Sequence, residues 1–327
     1  MPMQTVPSNY GLLHAPSSLA ELLELIGGCS ENHAGQIGWR GQADLSWTTD
    51  VPVVRRLKLS HPHLFDTVGR TSNQVIEQVE KINKLADAHE QVVLDEARRR
   101  GFHRGYDAKE LETLAVLRHH GAATRFIDFS QNAFVALWMA CTESPHTDGL
   151  LVGAHLDFLA GDADSTRVCV MHPSRTWTPA GRVFAEFAQC NFVVWPAPPL
   201  DLRMAAQHGL FIVSRATGLH AHGTFFDTTL QFDPGKPFAN KQPFIGIAVP
   251  VSLKSELNRC WEKLFGYSVA ALFPDVDGFS RHFNSASAPS PELVRELDAI
   301  TEEPEPVAAP GVPTYQVPEG HRLTVSG

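Results

Sequence analysis

Two short segments carry polar side chains among apolar neighbours: Trp39-Arg40-Gly41-Gln42, and the run from Arg118 to Ser130 with His119, Thr124, Arg125 and Asp128 inside it. A charged group in such a stretch needs a partner or a ligand, because burying it alone is costly. The planar guanidinium of Arg40 suits a phosphate or ribose-phosphate oxygen, to which it donates two parallel hydrogen bonds. Trp39 and Gly41 on either side predict an aromatic ring beside that guanidinium and a backbone open to close approach. A structural ion pair is an equal alternative for Arg40. Asp128 and Ser130 fall at a strand-to-helix junction, where free backbone N–H groups favour an anion. The same two residues also read as a helix cap, Ser130, and an ion pair between Asp128 and Arg125. His119 and His120 end a helix before Gly121, where imidazoles satisfy free carbonyls, and no further ligand at metal spacing accompanies them, so no metal is expected.

A third segment, Arg203 to Phe211, places Arg203 and Gln207 one helical turn apart, so that they share a face and either point at one ligand or bond each other. A fourth, Leu272 to Phe283, reads LFPDVDGFSRHF. Nucleophile elbows, phosphate-binding loops and GxGxxG turns after a strand are missing, and no cysteine stands in a nucleophile setting.

The elements that must hold these residues follow from periodicity. Ser17 or Ser18 caps a helix through LAELLELIGG, ended by Gly27 and Gly28, and Ile37–Gln42 reads as a strand. Thr71 to Arg100 lacks Gly and Pro and is rich in helix formers, which predicts one or two helices whose charges form a solvated face. Asp107 caps the helix ELETLAVLRHH, Arg125 to Phe129 alternates as a strand, and Ser130 caps the apolar helix QNAFVALWMACTES. Short β-branched or aromatic runs beginning at Leu150, Val168, Phe192, Leu210 and Phe244 predict a sheet-rich core. A helix from Leu253 and a cap at Ser268 follow, and beyond Phe283 the composition turns to Ser, Pro, Glu and Ala, with disorder expected from about Pro304.

Composition fits one large domain with tails: 327 residues, 43% of them hydrophobic, with a formal charge of -9. The acidic balance speaks against a broad nucleic-acid surface, leaving nucleic acid only as an acceptor. Five cysteines without a CxxC pair suit reduced core thiols. The longest apolar run, Ala133 to Cys141, is too short for a membrane span, and the N-terminus has no signal-peptide pattern, so the expected location is cytoplasmic with no membrane partner.

In order, WRGQ, HHG..TR.ID.S, R...Q.G.F and LFPD.DG resemble the FRG domain, from Ile37 to Phe283. Ala123 stands where that family has Pro, and Arg118 where it often has Gln. The resemblance implies an α+β fold with a mixed, split sheet similar to ADP-ribosyltransferases, which bind NAD in the sheet's cleft. It implies an N-terminal helical extension at 1–36, the FRG domain at 37–285 with a helical insertion at about 70–105, and a C-terminal helix and tail at 286–327. By that analogy Arg40 holds a ribose or phosphate oxygen, Ser130 orients the nicotinamide ribose, and Gln207 takes the third catalytic position, usually a Glu, with Glu186 as its substitute. Trp39, Gly41, Gln42, His119, Thr124, Arg125, Asp128 and Arg203 line the NAD cleft. The expected activity is ADP-ribose transfer to a macromolecule or NAD hydrolysis, as a toxin or phage-defence effector. The alternative is a non-catalytic nucleotide- or protein-binding module, favoured by the missing Glu, since an amide positions but does not act as a base.

Overall fold

The computed structural model describes residues 4–31, 36–102, 110–156, 168–170, 192–220, 223–224, 230–231, 233, 244–282 and 294–295. The expected cap Asp107, the substitute catalytic residue Glu186 and the C-terminal tail lie outside these. The chain divides into two compact units, Met1–Ser280 and Arg281–Gly327, and everything below concerns the first.

Among the described residues nine strands form one mixed sheet: β1 (Thr5–Ser8), β2 (Gly11–His14), β3 (Ile37–Gln42), β4 (Phe126–Ser130), β5 (Gly149–His155), β6 (Val168–Val170), β7 (Phe192–Trp195), β8 (Gly209–Ser214) and β9 (Phe244–Val249). Their order is β1-β2-β9-β5-β3-β4-β8-β7-β6, with β2–β9 and β6–β7 parallel and the other neighbours antiparallel. The class is α+β. The N-terminal segment contributes a hairpin, β1 and β2, to the sheet edge in addition to its helix, α1 (Leu19–Glu31). Ser18 caps α1 through the Glu21 amide. The helix continues through Gly27 and Gly28 instead of stopping there: neither glycine takes a left-handed conformation.

Alternation along the central strands separates three cores. Ile127 and Phe129 of β4, Leu150 and Val152 of β5, and Leu210 and Ile212 of β8 face α2 (Pro52–Ser60) and α3 (Ser72–Arg99) in one core. The opposite face holds two cores. Trp39, Leu151 and Ile247 pack with α1, α5 (Ala133–Thr142) and α7 (Val251–Asn258) in one. Phe126, Phe211 and Trp195 pack with α4 (Glu110–His119) and Met204 of α6 (Leu202–Ala206) in the other. Those two cores part where β3 and β4 meet. Two short helices, α8 (Val269–Leu272) and α9 (Val276–His282), follow, with Ser268 capping α8 as expected.

The long segment after Thr71 is a single helix, α3, opened by a capping box between Thr71 and Gln74. Its charges are not all solvated: Gln78, Ile82, Asn83, Ala86, Glu90, Leu94 and Ala97 recur every third or fourth residue as a buried stripe. Asn83 exchanges two hydrogen bonds with the backbone of Ala216, and Glu90 receives Arg125. A helix placed by sequence as a wet surface therefore clamps the sheet.

Candidate anion-binding site at the split between β3 and β4

Strand β3 pairs with β5 along its whole length, from Ile37↔His155 to Gln42↔Leu150, and β4 pairs with β8 from Phe126↔Val213 to Ser130↔Gly209. Between β3 and β4 there is a single pair, Trp39↔Ser130. Beyond it the strands diverge, and backbone groups beside Arg40 and Asp128 lose their ladder partners. The Arg40 side chain crosses this split and donates from Nη1 to the Asp128 carbonyl at 3.1 Å.

The Asp128 carboxylate is held by Arg118, from the last turn of α4, whose Nη2 donates to Oδ2 at 2.5 Å. Three polar atoms of this group are buried without a hydrogen-bond partner among the described residues: Arg40 Nε, Arg118 Nε and Asp128 Oδ1. Polar atoms in a fold rarely stay so, and an orphaned guanidinium edge is a vacant donor. Burial, first, and Arg118 disfavour the ionisation of Arg55, on α2, and Arg55 in turn disfavours that of Arg40.

Charges and burial act together here. Burial lowers the Arg40 pKa to about 10, Asp128 works against that fall, and Arg118 and Arg55 deepen it. Burial pushes the Asp128 carboxyl up, but Arg118, His119 and Arg40 outweigh it and hold the carboxyl below its ordinary range. Burial also lowers His119, against the pull of Asp128 and Asp201, so its imidazole is neutral near pH 7. Two guanidinium groups, of Arg40 on its carbonyl and Arg118 on its carboxylate, thus meet at Asp128, an excess of positive charge that suits an anion.

Several expected binding residues serve the scaffold instead. Trp39 packs in the core on the far face of β3, so its ring does not lie beside the Arg40 guanidinium. Gly41 is a glycine because α5 crosses it: a Cβ there would stand 1.7 Å from the Ala136 carbonyl oxygen, so the close approach is by a helix. Gln42 donates to the carbonyls of Asp44 and Trp47 and so pins the following loop, where Tyr10 also donates to Trp47 and bonds Thr49. The Thr124 hydroxyl accepts the Phe126 amide.

Arg125 does not pair with Asp128. It forms a buried ion pair with Glu90 and Asp87 of α3, pointing away from the split. Burial alone would lower its pKa, yet those two carboxylates raise it. Ser130 is not the cap of α5 either: Asn132 accepts the Phe134 amide in that role. The Ser130 hydroxyl donates to the Gln207 carbonyl at 2.7 Å and accepts the Asn132 amide, so both functions are engaged internally.

The side chains of Arg203 and Gln207 do not bond each other and are each held by other protein groups. Arg203 grips Asp275 through Nε at 2.6 Å and Nη2 at 2.7 Å, lies over the Phe273 ring, and donates from Nη1 to the His119 carbonyl at 2.6 Å. The Gln207 amide donates to the Leu272 carbonyl at 2.9 Å. His208, next in the chain, holds φ 48, a left-handed conformation unusual outside glycine, and its carbonyl accepts the Gln131 amide. Of the expected site, the structure therefore brings Arg40, Asp128 and His119 together, while Ser130 and Gln207 sit beside them as supports.

Sequence reasoning passed over Arg55 and Arg118. Arg118 was visible only as a departure from the family pattern, and Arg55 lies in a helix with no motif. Among the described residues no group of His, Cys, Asp and Glu is arranged to hold a metal ion. Nor is any helix of these residues long and apolar enough to cross a membrane.

No curated protein and no solved structure matches the chain. One family model does. Its match supplies Arg40, Arg55, Arg118, His119 and Asp128 and excludes Arg203, Gln207 and Asp275, and it ends as β5 begins. Residues 35–149, the segment that builds the split and its charge cluster, match the FRG domain.

Proposed function

We propose that the split between β3 and β4 takes NAD as a substrate, and that the chain is an ADP-ribosyltransferase-like enzyme passing ADP-ribose to a macromolecule or to water. The observation that carries this reading is the convergence of two orphaned guanidinium edges and one orphaned carboxylate oxygen in a gap of the sheet. Arg40 and Arg118 hold phosphate oxygens. Asp128, ionised at neutral pH, faces the positive charge that develops on the ribose as its bond to the nicotinamide nitrogen breaks. The bonding electrons leave with nicotinamide. The acceptor oxygen or nitrogen then bonds the ribose carbon and releases its proton to solvent. In this scheme Asp128 supplies the carboxylate absent at Gln207, while Ser130 and Gln207 fix the strand that carries it. NAD and its acceptors are abundant in the cytoplasm, the location this reading requires, and consumption of NAD there is how a toxin or phage-defence effector would act.

The test is incubation of the protein, Arg40→Ala and Asp128→Asn with labelled NAD and a cell lysate, following free nicotinamide and label on macromolecules. Release from the wild type, abolished in Asp128→Asn while NAD still stabilises that variant against heat, supports the enzyme. Growth arrest on expression of the wild type, absent with Asp128→Asn, supports the effector role. A specific observation favours a second reading, a non-catalytic nucleotide-binding module: the Ser130 hydroxyl and the Gln207 amide are spent on internal hydrogen bonds. NAD protection without nicotinamide release selects that module, and absence of both ends the NAD reading.

A further inference from the structure

The imidazole of His119 stands at the split with no hydrogen bond on either ring nitrogen among the described residues. Its backbone, by contrast, is fixed. His119 ends α4, and its carbonyl accepts Arg203 Nη1 at 2.6 Å, which holds that last turn in place. The ring lies edge-on to Phe211, with centroids 5.3 Å apart and planes at 88°. Phe211 is the register partner of Asp128 across β4 and β8, and directly opposed side chains of an antiparallel pair rise from the same face with about 5 Å between their Cβ atoms. Arg118, one residue before His119, reaches the Asp128 carboxylate at 2.5 Å. The imidazole therefore shares one face of the sheet with that carboxylate, one cross-strand position away.

Polar groups in a fold normally find partners, so two open ring nitrogens beside the orphaned Oδ1 of Asp128 mark a place where a proton can be taken up. The charged groups around the ring come from three elements: Arg118 on its own helix, Asp128 on β4, and Arg203 with the cap Asp201 at α6. Burial acts most strongly on it, and the two carboxylates oppose burial while the two guanidinium groups reinforce it. The ring is thereby neutral near pH 7, the form that accepts a proton. Once it has done so, Asp128 is the anion on the same face that steadies the imidazolium.

We infer that His119 is the general base of the split and that the acceptor it serves is a neutral hydroxyl, of water or of a macromolecule. This rests on the NAD reading and names its acceptor class. The hydroxyl gives its proton to a ring nitrogen of His119 while its oxygen lone pair forms the bond to the ribose carbon. The bond from that carbon to nicotinamide breaks, and its electron pair leaves with nicotinamide. The imidazolium then passes the proton to solvent. A carboxylate acceptor brings no proton to remove and meets the like charge of Asp128, so the pair favours hydroxyls.

The experiment has an arm that needs no turnover. Histidine ring resonances of the full chain and of Asp128→Asn are followed by NMR against pH without NAD: His119 should titrate below the ordinary histidine range, and lower still in the variant, because the carboxylate that favours its charged form is gone. An unchanged His119 titration in Asp128→Asn would overturn the inference. In the second arm, nicotinamide release is measured for the wild type, His119→Ala and the closer-fitting His119→Gln. Both variants should lose at least about a hundredfold in kcat with the KM for NAD within about threefold, and added imidazole should restore part of the rate of His119→Ala. The wild-type rate should fall on acidification through the His119 titration, a limb missing from the residual rate of the variants. Label carried to macromolecules should resist neutral hydroxylamine, which cleaves carboxylate esters, and its release by that reagent would sink the acceptor class. A loss carried in KM, or one that imidazole does not relieve, makes His119 a prop and not a base. Release that His119→Ala retains removes the base and leaves the NAD reading standing, whereas no release from the wild type ends both.

Discussion

Replacing Glu90 by Ala removes the main partner of a buried cation and tests whether Arg125 belongs to the scaffold or to the site. Arg125 is 2% exposed and Glu90 1%. The carboxylate accepts the Arg125 amide at 2.6 Å, Nε at 2.9 Å and Nη2 at 2.7 Å, so three hydrogen bonds vanish at once. Removing one partner of a buried pair costs about 3–5 kcal/mol because the other charge is left in place. Asp87 remains on Nη2 and is partly exposed, which puts the expected loss near the lower end, about 3 kcal/mol. That is a large part of a stability of about 5–15 kcal/mol. Urea unfolding followed by tryptophan fluorescence reads it as a fall in midpoint at unchanged slope. The double variant Glu90→Leu with Arg125→Met removes both charges and should regain most of the loss, since apolar replacement of a buried pair is often neutral or better. It should also bind ADP-ribose as the wild type does. A loss under about 1 kcal/mol in Glu90→Ala would refute the energetic argument, and a folded double variant without nucleotide affinity would return Arg125 to the site.

Three further outcomes follow from the same contacts. Gly41→Ala puts a methyl carbon where the Ala136 oxygen lies 1.7 Å away and the Ala140 nitrogen 2.6 Å away, so α5 must shift. A stability loss at or above the usual overpacking cost of about 1–3 kcal/mol is expected, and an unchanged urea midpoint would contradict the packing. The folded-state pKa of Asp128 is depressed, so its stabilising contribution is complete above the ordinary carboxylate range and is lost as the pH falls through the depressed value. The wild-type advantage over Asp128→Asn in urea should therefore shrink on acidification and stay constant above that range. Burial pushes the thiols of Cys29 and Cys141 up to about 12, so in the native protein both should resist a thiol-modifying reagent that labels the more exposed Cys260, as peptide mass mapping would show.

Much of the architecture was legible because it rests on local pattern. The strand bounds at Ile37–Gln42, the run of strands from Leu150 to Phe244 and the cap at Ser268 follow from alternation and side-chain chemistry, and the structure has them. The hairpin at the N-terminus was not, since its four-residue strands draw their stability from joining a finished sheet edge. The site was legible in part: Arg40 and Asp128 stood out as charges in apolar stretches, and they meet. The partners did not. Whether Asp128 pairs with Arg125 or Arg118 depends on which face of β4 each lies on, and Arg125, three residues before Asp128, falls on the opposite face. Glu90, 35 residues upstream of Arg125 in a helix full of charges, carried no mark that distinguished it from its solvated neighbours.

The remote motifs find their reason in the same geometry. Asp275 fixes Arg203, which caps the end of α4 at the His119 carbonyl, one residue from Arg118. Leu272 fixes Gln207, whose own carbonyl receives the Ser130 hydroxyl at the one point where β3 and β4 still pair. Both chains of contact start in the Leu272–Asp275 segment and end on opposite sides of the split, one at Arg118 and one at the strand bearing Asp128. Residues that touch no ligand thereby set the separation of the two groups that would hold one. A guanidinium and a carboxylate with orphaned atoms can be kept in register only by rigid supports, because left to themselves they would turn to satisfy each other more fully. That requirement places four separated motifs in one chain although only two of them line the site.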